Sequence, residues 1–338
     1  MKELRIACCG GWHSHAKDFP MDRAPVKCAG LPYRFVAVWD DDPVRGPQWA
    51  EEMHCPYQPD FDRICADPEI DAVIITCGTT RHASLAIRAA EAGKHIFIEK
   101  ALAADPAEAR AIRDAVKKSG IHFTISDPVE KPELVFAKKL MDEGVFGEVT
   151  EVRYRAAHGY GVTDPGLMSC YYTRSEAGGG AMFDMGHHAV HVLRWFLGLP
   201  DQAVGVFSRF SDRGKKQQVD DIGTAVYHFP SGAIGIAETG WLSPAGGASL
   251  FELHGTKGFL QWSRGEFLRY QTAETEGWVN VTPDQLPEPP VYPLRYWMES
   301  ILEDTFGSQY GVDEAVEVCE MIAAAYELED HGARIEYQ

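Results

Sequence analysis

The chain has 338 residues, 45% hydrophobic and 24% charged, the mix of a folded globular protein long enough for two domains. Its 32 basic and 50 acidic residues give a net charge of −18, which repels phosphate backbones and anionic lipid and argues against nucleic acid and membrane surfaces as partners. No apolar run reaches the roughly 18 residues of a membrane span, and the opening MKELRIACCGG is too short in apolar residues for a signal peptide, so a cytoplasmic protein is expected. Cysteines 8, 9, 28, 55, 65, 77, 170 and 319 form no C-x-x-C pair and read as reduced thiols.

The apolar runs Leu4–Cys9, Phe35–Trp39, Ala72–Thr76, His95–Ile98 and His122–Ile125 are short and continuous. That pattern predicts strands buried on both faces of a parallel sheet. Between them, Thr80–Ala92 is alanine-rich and stops at Gly93. Asp105–Lys118 opens with an N-cap aspartate, a proline and Glu108, and stops at Gly120. Alternation of this kind predicts an α/β doubly wound domain over residues 1–126. Ser126–Glu133 (SDPVEKPE) marks a boundary, and a helix follows over Pro132–Glu143. From there the pattern turns to period two. Glu148–Ala157, Ala203–Phe210, Thr224–Phe229, Ala233–Leu242, Ser249–Leu253 and Gly258–Gln261 predict an open, mostly antiparallel sheet, an α+β domain over 127–338. One long helix, Met182–Leu197, interrupts the strands, and Asp313–Leu328 closes the chain.

The first strand runs into Gly10-Gly11-Trp12-His13-Ser14-His15, the place where a Rossmann domain holds dinucleotide phosphates. The G-x-G-x-x-G pattern would need glycines at Trp12 and His15, so the turn alone does not decide. Asp40, Asp41 and Asp42 end the second strand. A carboxylate there accepts hydrogen bonds from the adenosine ribose and repels a 2′-phosphate, which favours NAD over NADP. Gly10 and Asp40 lie 30 residues apart rather than about 20, a difference that the proline-bearing stretch Pro20–Pro32 accounts for as an insertion. Glu99-Lys100 sits at the end of an apolar strand, where a lysine can donate to a substrate hydroxyl or simply be solvated. In the predicted helix, Asp184, His188, His191 and Trp195 share one face. A catalytic Asp–His pair, an Asp-x3-His-x2-His metal site and structural histidines all fit that spacing.

Taken together, these residues resemble the Gfo/Idh/MocA family of nicotinamide-dependent oxidoreductases. The likeness rests on DAVIITCGTTRHASLAIRAAEAGKHIFIEKALA (71–103) and AGGGAMFDMGHHAVHVLRWFLG (177–198), with DDIGTAVYHFPSGAIG (220–235) and FELHGTKGFL (251–260) in support. The resemblance implies an N-terminal Rossmann domain and a C-terminal open-sheet domain through which a homodimer or homotetramer assembles. It implies Lys100, Asp184 and His188 as catalytic residues, with the Asp-x-Gly-x-His spacing choosing His188 over His187. Thr76, Cys77, Gly78, Thr79, His82, Glu99 and Asp127 would line the cofactor, with Gly10 to His15, Asp40 and Asp41. Ala101 stands where the family carries a proline after the lysine, and His191 where an aspartate is common. No resident metal is expected.

The reading is an NAD-dependent oxidation of a secondary hydroxyl on a sugar, cyclitol or glycoside. The acidic chain favours a neutral polyol. Tyr154, His158, Tyr160, Tyr171, Tyr172, Arg174, His187 and His191 are the candidates for a sugar pocket. Two alternatives stay open: a redox-neutral glycosidase that oxidises, eliminates and re-reduces with bound NAD, and a non-catalytic ligand-binding member of the fold.

Overall fold

The computed structural model describes residues 3–18, 28–127, 131–244, 249–306 and 310–327. The chain forms two compact units. The first holds residues 1–128, 175–178 and 291–319; the second holds 129–174, 179–290 and 320–338. Residues 175–178 and 291–319 thus group with the first unit, apart in sequence from 1–128.

In the first unit β1 (Leu4–Cys9), β2 (Tyr33–Trp39), β3 (Ala72–Ile75), β4 (His95–Glu99) and β5 (Phe123–Ser126) form one sheet in the order β2-β1-β3-β4-β5. All four pairings are parallel. Every residue of β3 is buried, as expected of strands with both faces covered. The expected helix over Thr80–Ala92 begins as a 3-10 turn, Thr79–Arg81, and continues as the helix His82–Glu91. The helix Pro106–Ser119 forms as its signals require: the Asp105 side chain accepts from the Ala107 amide, and Gly120 closes it at φ 66°. Three further helices lie outside the expected elements: Arg45–Glu52, whose N-cap Val44 makes no side-chain hydrogen bond, Phe61–Ala66, capped by the Asp60 side chain on the Asp62 amide, and Pro293–Glu303, which opens on a proline. The last of these seats Trp297, 0% exposed, against Phe97 of β4 at 5.7 Å between ring centroids. Of the proposed Pro20–Pro32 insertion, residues 20–27 lie outside the described residues.

The second unit is an eight-stranded sheet: β6 (Val149–Ala157), β7 (Gln202–Ser208), β8 (Ile222–His228), β9 (Ile234–Gly240), β10 (Ser249–Gly255), β11 (Gly258–Ser263), β12 (Phe267–Thr272) and β13 (Val279–Asn280). Its order is β13-β12-β11-β10-β6-β9-β8-β7, with β6 and β9 parallel and every other pairing antiparallel. The expected helix Met182–Leu197 is corrected to two segments, Ala181–Asp184 and Gly186–Leu197, with Met185 between them. The backbone tightens at the junction, where the His188 amide donates to the Met185 carbonyl at 3.2 Å. Gly186 belongs there because a Cβ would stand 2.3 Å from Met182 Sδ. The second segment packs on β6 and β9. Among the described residues no helix is long and apolar enough to cross a membrane.

Candidate active site

At the C-terminal edge of the first sheet, the turn after β1 is built around a close backbone approach. Gly10 has φ 98°, and a Cβ there would lie 2.4 Å from Cys77 Cα, so no other residue fits. The His13 amide donates to the Thr76 carbonyl (3.0 Å), tying the turn to the end of β3, and the Thr76 hydroxyl donates to the Gly10 carbonyl. The Gly11 amide donates to Asp40 Oδ2 at 2.6 Å. Asp40, 2% exposed, also receives Arg45 Nε on Oδ2 (2.8 Å) and Arg45 Nη2 on Oδ1 (2.7 Å), a bidentate pair. Partial burial and the neighbouring Asp40 charge push the Asp41 carboxyl up, against Arg45 and Arg81. Trp12 Nε1 donates to Glu176 Oε2 at 2.6 Å, and Gly78 faces the Glu176 carbonyl.

His82 is buried, and its Nδ1 and Nε2 face the carbonyls of Ala101 (3.0 Å) and Cys77 (3.2 Å). Burial holds its proton affinity below the usual imidazole range. It therefore braces two strand-end loops. Burial also pushes the Cys77 thiol up, which removes it as a nucleophile. Glu99, Lys100 and Asp127 are all buried, and the Lys100–Ala101 peptide is cis.

In the second unit the stretch Gly179–Met182 is shaped by Asp220. The Ala181 amide donates to its carbonyl (2.8 Å), the Met182 amide to its Oδ2 (3.1 Å) and the Tyr326 hydroxyl to its Oδ1 (2.9 Å). A Cβ on Gly180 would lie 2.2 Å from that carbonyl oxygen. The stretch delivers Asp184, whose Oδ2 accepts from Trp241 Nε1 at 3.0 Å and stands 3.9 Å from His158 Nε2. The Tyr160 amide donates to His158 Nδ1 (3.3 Å), which leaves the neutral ring's hydrogen on Nε2, facing the carboxylate. His188 is half-buried, one turn along from Asp184. The ligand atoms of Asp184, His188 and His191 do not all approach one another within reach of a single ion.

Residues 10–126 match the NAD-binding Rossmann fold of an oxidoreductase family, and residues 134–261 match the GFO/IDH/MocA C-terminal domain. The scyllo-inositol 2-dehydrogenase (NAD(+)) of Bacillus subtilis is 30% identical over 76% of this chain and 71% of its own length. The chain belongs to the GFO/IDH/MocA oxidoreductase family. It is 31% identical to the levoglucosan dehydrogenase of Pseudarthrobacter phenanthrenivorans over 60% of this chain, a match spanning 57% of that relative's length. Among solved structures, a levoglucosan dehydrogenase complex with NADH and levoglucosan superposes with a TM-score of 0.79 at 25% identity, covering 98% of both chains. The aldose-aldose oxidoreductase from Caulobacter crescentus, complexed with glycerol, gives 0.80 at 25% identity and covers 99% of this chain and all of its own.

Within this GFO/IDH/MocA protein, the first unit brings Gly10 to His15, Asp40, Asp41, Thr76 to Thr79, His82 and Glu99 to the strand ends of one NAD-binding Rossmann sheet. The backbone cradle at Gly10 and the carboxylate at the tip of β2 fit a dinucleotide. The second unit places the sugar-pocket candidates at different depths. Tyr154 is 1% exposed: Lys131 Nζ donates to its hydroxyl at 2.8 Å, and its ring packs on Phe251 and Trp262. Tyr172, equally buried, packs on Trp241 at 4.9 Å between centroids. Tyr171, His187 and His191 are buried too, whereas Tyr160 and Arg174 are exposed and His158 is half-buried on Asp184. Two residues escaped sequence reading. Arg45 carries a weak signal, five residues beyond Asp40; Trp241 carries only its place after the end of β9.

Proposed function

We infer that this protein is an NAD-dependent dehydrogenase that oxidises a secondary hydroxyl of a neutral sugar, cyclitol or glycoside. The observation that carries the reading is the fixed Asp184 carboxylate, held by Trp241 Nε1 and His158 one turn before the half-buried His188. A carboxylate locked this way orients a substrate hydroxyl and supports a histidine that must take its proton. His188 acts as that base in its neutral form. Lys100, set at the end of β4, donates to the same oxygen and stabilises the charge it gains. NAD, when bound, accepts the hydride. The sugar and inositol substrates named for the matched relatives support the substrate class. The eight-stranded sheet is the surface we assign to a homodimer or homotetramer contact.

The test is single-turnover hydride transfer, read as NADH formation, with a working substrate from a panel of sugars, inositols and glycosides. His188→Ala lowers the rate by about 10²–10⁴, the range of a positioned general base. Lys100→Ala costs a similar factor, and the double variant costs less than the product of the two. Rates for wild type and His188→Ala agreeing within about threefold would overturn the assignment of His188. Substrate consumption without net NADH would move the reading to redox-neutral glycoside cleavage.

A further inference from the structure

Two imidazoles from the turn after β1 meet a buried carboxylate from the end of β4. His15 Nδ1 lies 3.2 Å and His13 Nδ1 3.8 Å from the same oxygen, Glu99 Oε2. The Glu99 side chain is 2% exposed and that of His15 is 47% exposed. The His15 amide donates to His13 Nδ1 at 3.2 Å, so that nitrogen carries a lone pair and offers Glu99 no hydrogen. His15 is therefore the ring that bonds the carboxylate through Nδ1–H, and its Nε2 lies on the opposite side of the ring. This is a carboxylate–imidazole dyad with an exposed imidazole.

Its place gives it a task. The dyad spans from the turn after β1 to the end of β4, over the strand-end edge where sheets of this order hold their ligands. The turn lacks the second and third glycines of the dinucleotide fingerprint, with Trp12 and His15 in their places. It leads into the five-residue 3-10 segment Ser14–Asp18, which offers little of the dipole that a long helix directs at phosphates. An ionised Glu99 at the same edge would by itself repel a diphosphate.

We propose that His15, charged through its bond to Glu99, is the cation that receives the dinucleotide's diphosphate, in place of a glycine-rich helix start. The inference rests on the NAD-binding reading of this unit. Burial alone would raise the Glu99 carboxyl, but the charge and hydrogen bond of His15 and the charge of Lys100 act against it and hold the carboxyl below its usual range. The carboxylate is thus ionised throughout the neutral range, and a fixed anion favours the protonated ring beside it. Glu99 from the end of β4 and His13 from the same turn face the His15 ring, Lys100 follows Glu99 in sequence and acts on its carboxylate, and Lys17 lies in the same 3-10 segment as His15. A bound diphosphate raises the ring's proton affinity further. Dinucleotide affinity is then greatest below the His15 pKa of the free protein, and falls as pH rises through that of the complex.

The experiment is calorimetric titration of the substrate-free protein with NAD and with ADP-ribose at pH 6 and pH 8. For wild type, the dissociation constants of both ligands rise about tenfold from the lower to the higher pH, the scale of one lost charge-assisted contact. In His15→Gln both are weak and equal at the two pH values, while His13→Gln keeps the difference. Thermal melts of each variant at both pH values confirm folding. Dinucleotide binding that is pH-independent in wild type, or pH-dependent in His15→Gln, overturns the proposal and leaves the functional reading standing. A difference seen with NAD but not with ADP-ribose also overturns it, by placing the contact on the nicotinamide side. Absence of dinucleotide binding at either pH overturns the functional reading itself and this inference with it.

Discussion

Asp40 is a carboxylate with two claims on it. It stands at the tip of β2, where we propose that the adenosine ribose sits, and both of its oxygens receive the Arg45 guanidinium. Replacing it changes two things at once: the anion that repels a 2′-phosphate goes, and a guanidinium suited to phosphate is released. Asp40→Ser should therefore narrow the preference for NAD over NADP from both directions. NAD is expected to weaken and NADP to strengthen, each by about tenfold, the scale of one charge-assisted contact. Fluorescence titration with both reduced cofactors checks this, and unchanged NADP affinity would take Asp40 away from the ribose. In the second unit, Trp241 Nε1 is the donor that fixes Asp184. Trp241→Phe keeps an aromatic ring in a site that is 0% exposed but removes the N–H. Turnover should fall by about tenfold, one contact's worth, with KM little changed. Steady-state kinetics beside a thermal melt separates lost positioning from lost stability. Neither Arg45 on Asp40 nor Trp241 on Asp184 is legible in the sequence. The second pair lies 57 residues apart, and only strand and helix packing makes it a contact.

At the scale of elements, sequence signals worked where a local cause fixes the structure. β1 begins and ends at Leu4 and Cys9 as the apolar run indicates, because a strand covered on both faces selects apolar side chains without alternation. The helix Pro106–Ser119 shows its start and stop in Asp105, Pro106 and Gly120. Asp105→Ala removes the acceptor of the Ala107 amide (2.6 Å) and should cost about 1 kcal/mol, read as a shift of the denaturation midpoint with unchanged m. Signals failed where the cause is not local. Helix Arg45–Glu52 has a Val44 N-cap with no side-chain hydrogen bond, and its buried Trp49 is settled by the strand it covers. The break at Met185 escaped the periodicity of 182–197 because one turn tightened to an i→i+3 bond leaves the apolar pattern nearly intact. Glycine, by contrast, was informative. Gly180→Ala drives a Cβ against the Asp220 carbonyl and should destabilise the protein by about 1–3 kcal/mol, measured by the same denaturation.

At the scale of the whole molecule, the first unit is not a continuous piece of chain. Residues 291–319 return to it, and the helix Pro293–Glu303 places Leu294, Trp297 and Met298, all nearly unexposed, in the cluster beneath β1 and β4. A fragment ending at residue 128 would expose that face of its sheet. Losing one buried Trp costs about 3–5 kcal/mol, which is already much of a domain's stability. The fragment 1–128 should therefore show no cooperative thermal unfolding by circular dichroism, whereas the complete chain does. A sharp melt of the fragment would show that the returning helix is dispensable.

The sequence by itself determined the family, the parallel and antiparallel sheets, the glycine turn at the first strand end, and the candidate trio Lys100, Asp184 and His188. Each of these is carried by neighbouring residues, through apolar runs, caps, close backbone approaches and motif spacing. Tertiary structure alone decided which polar side chains are partnered. It bound Asp40 to Arg45, fixed Asp184 with Trp241, set Glu99 beside His15, and buried Tyr154 against Phe251 and Trp262 and Tyr172 against Trp241. The physical reason is that burial and charge pairing depend on strand order and on which faces are covered. A tyrosine on a period-two strand reads the same whether its ring meets a sugar or a tryptophan. Only the neighbouring strands and helices determine which it meets.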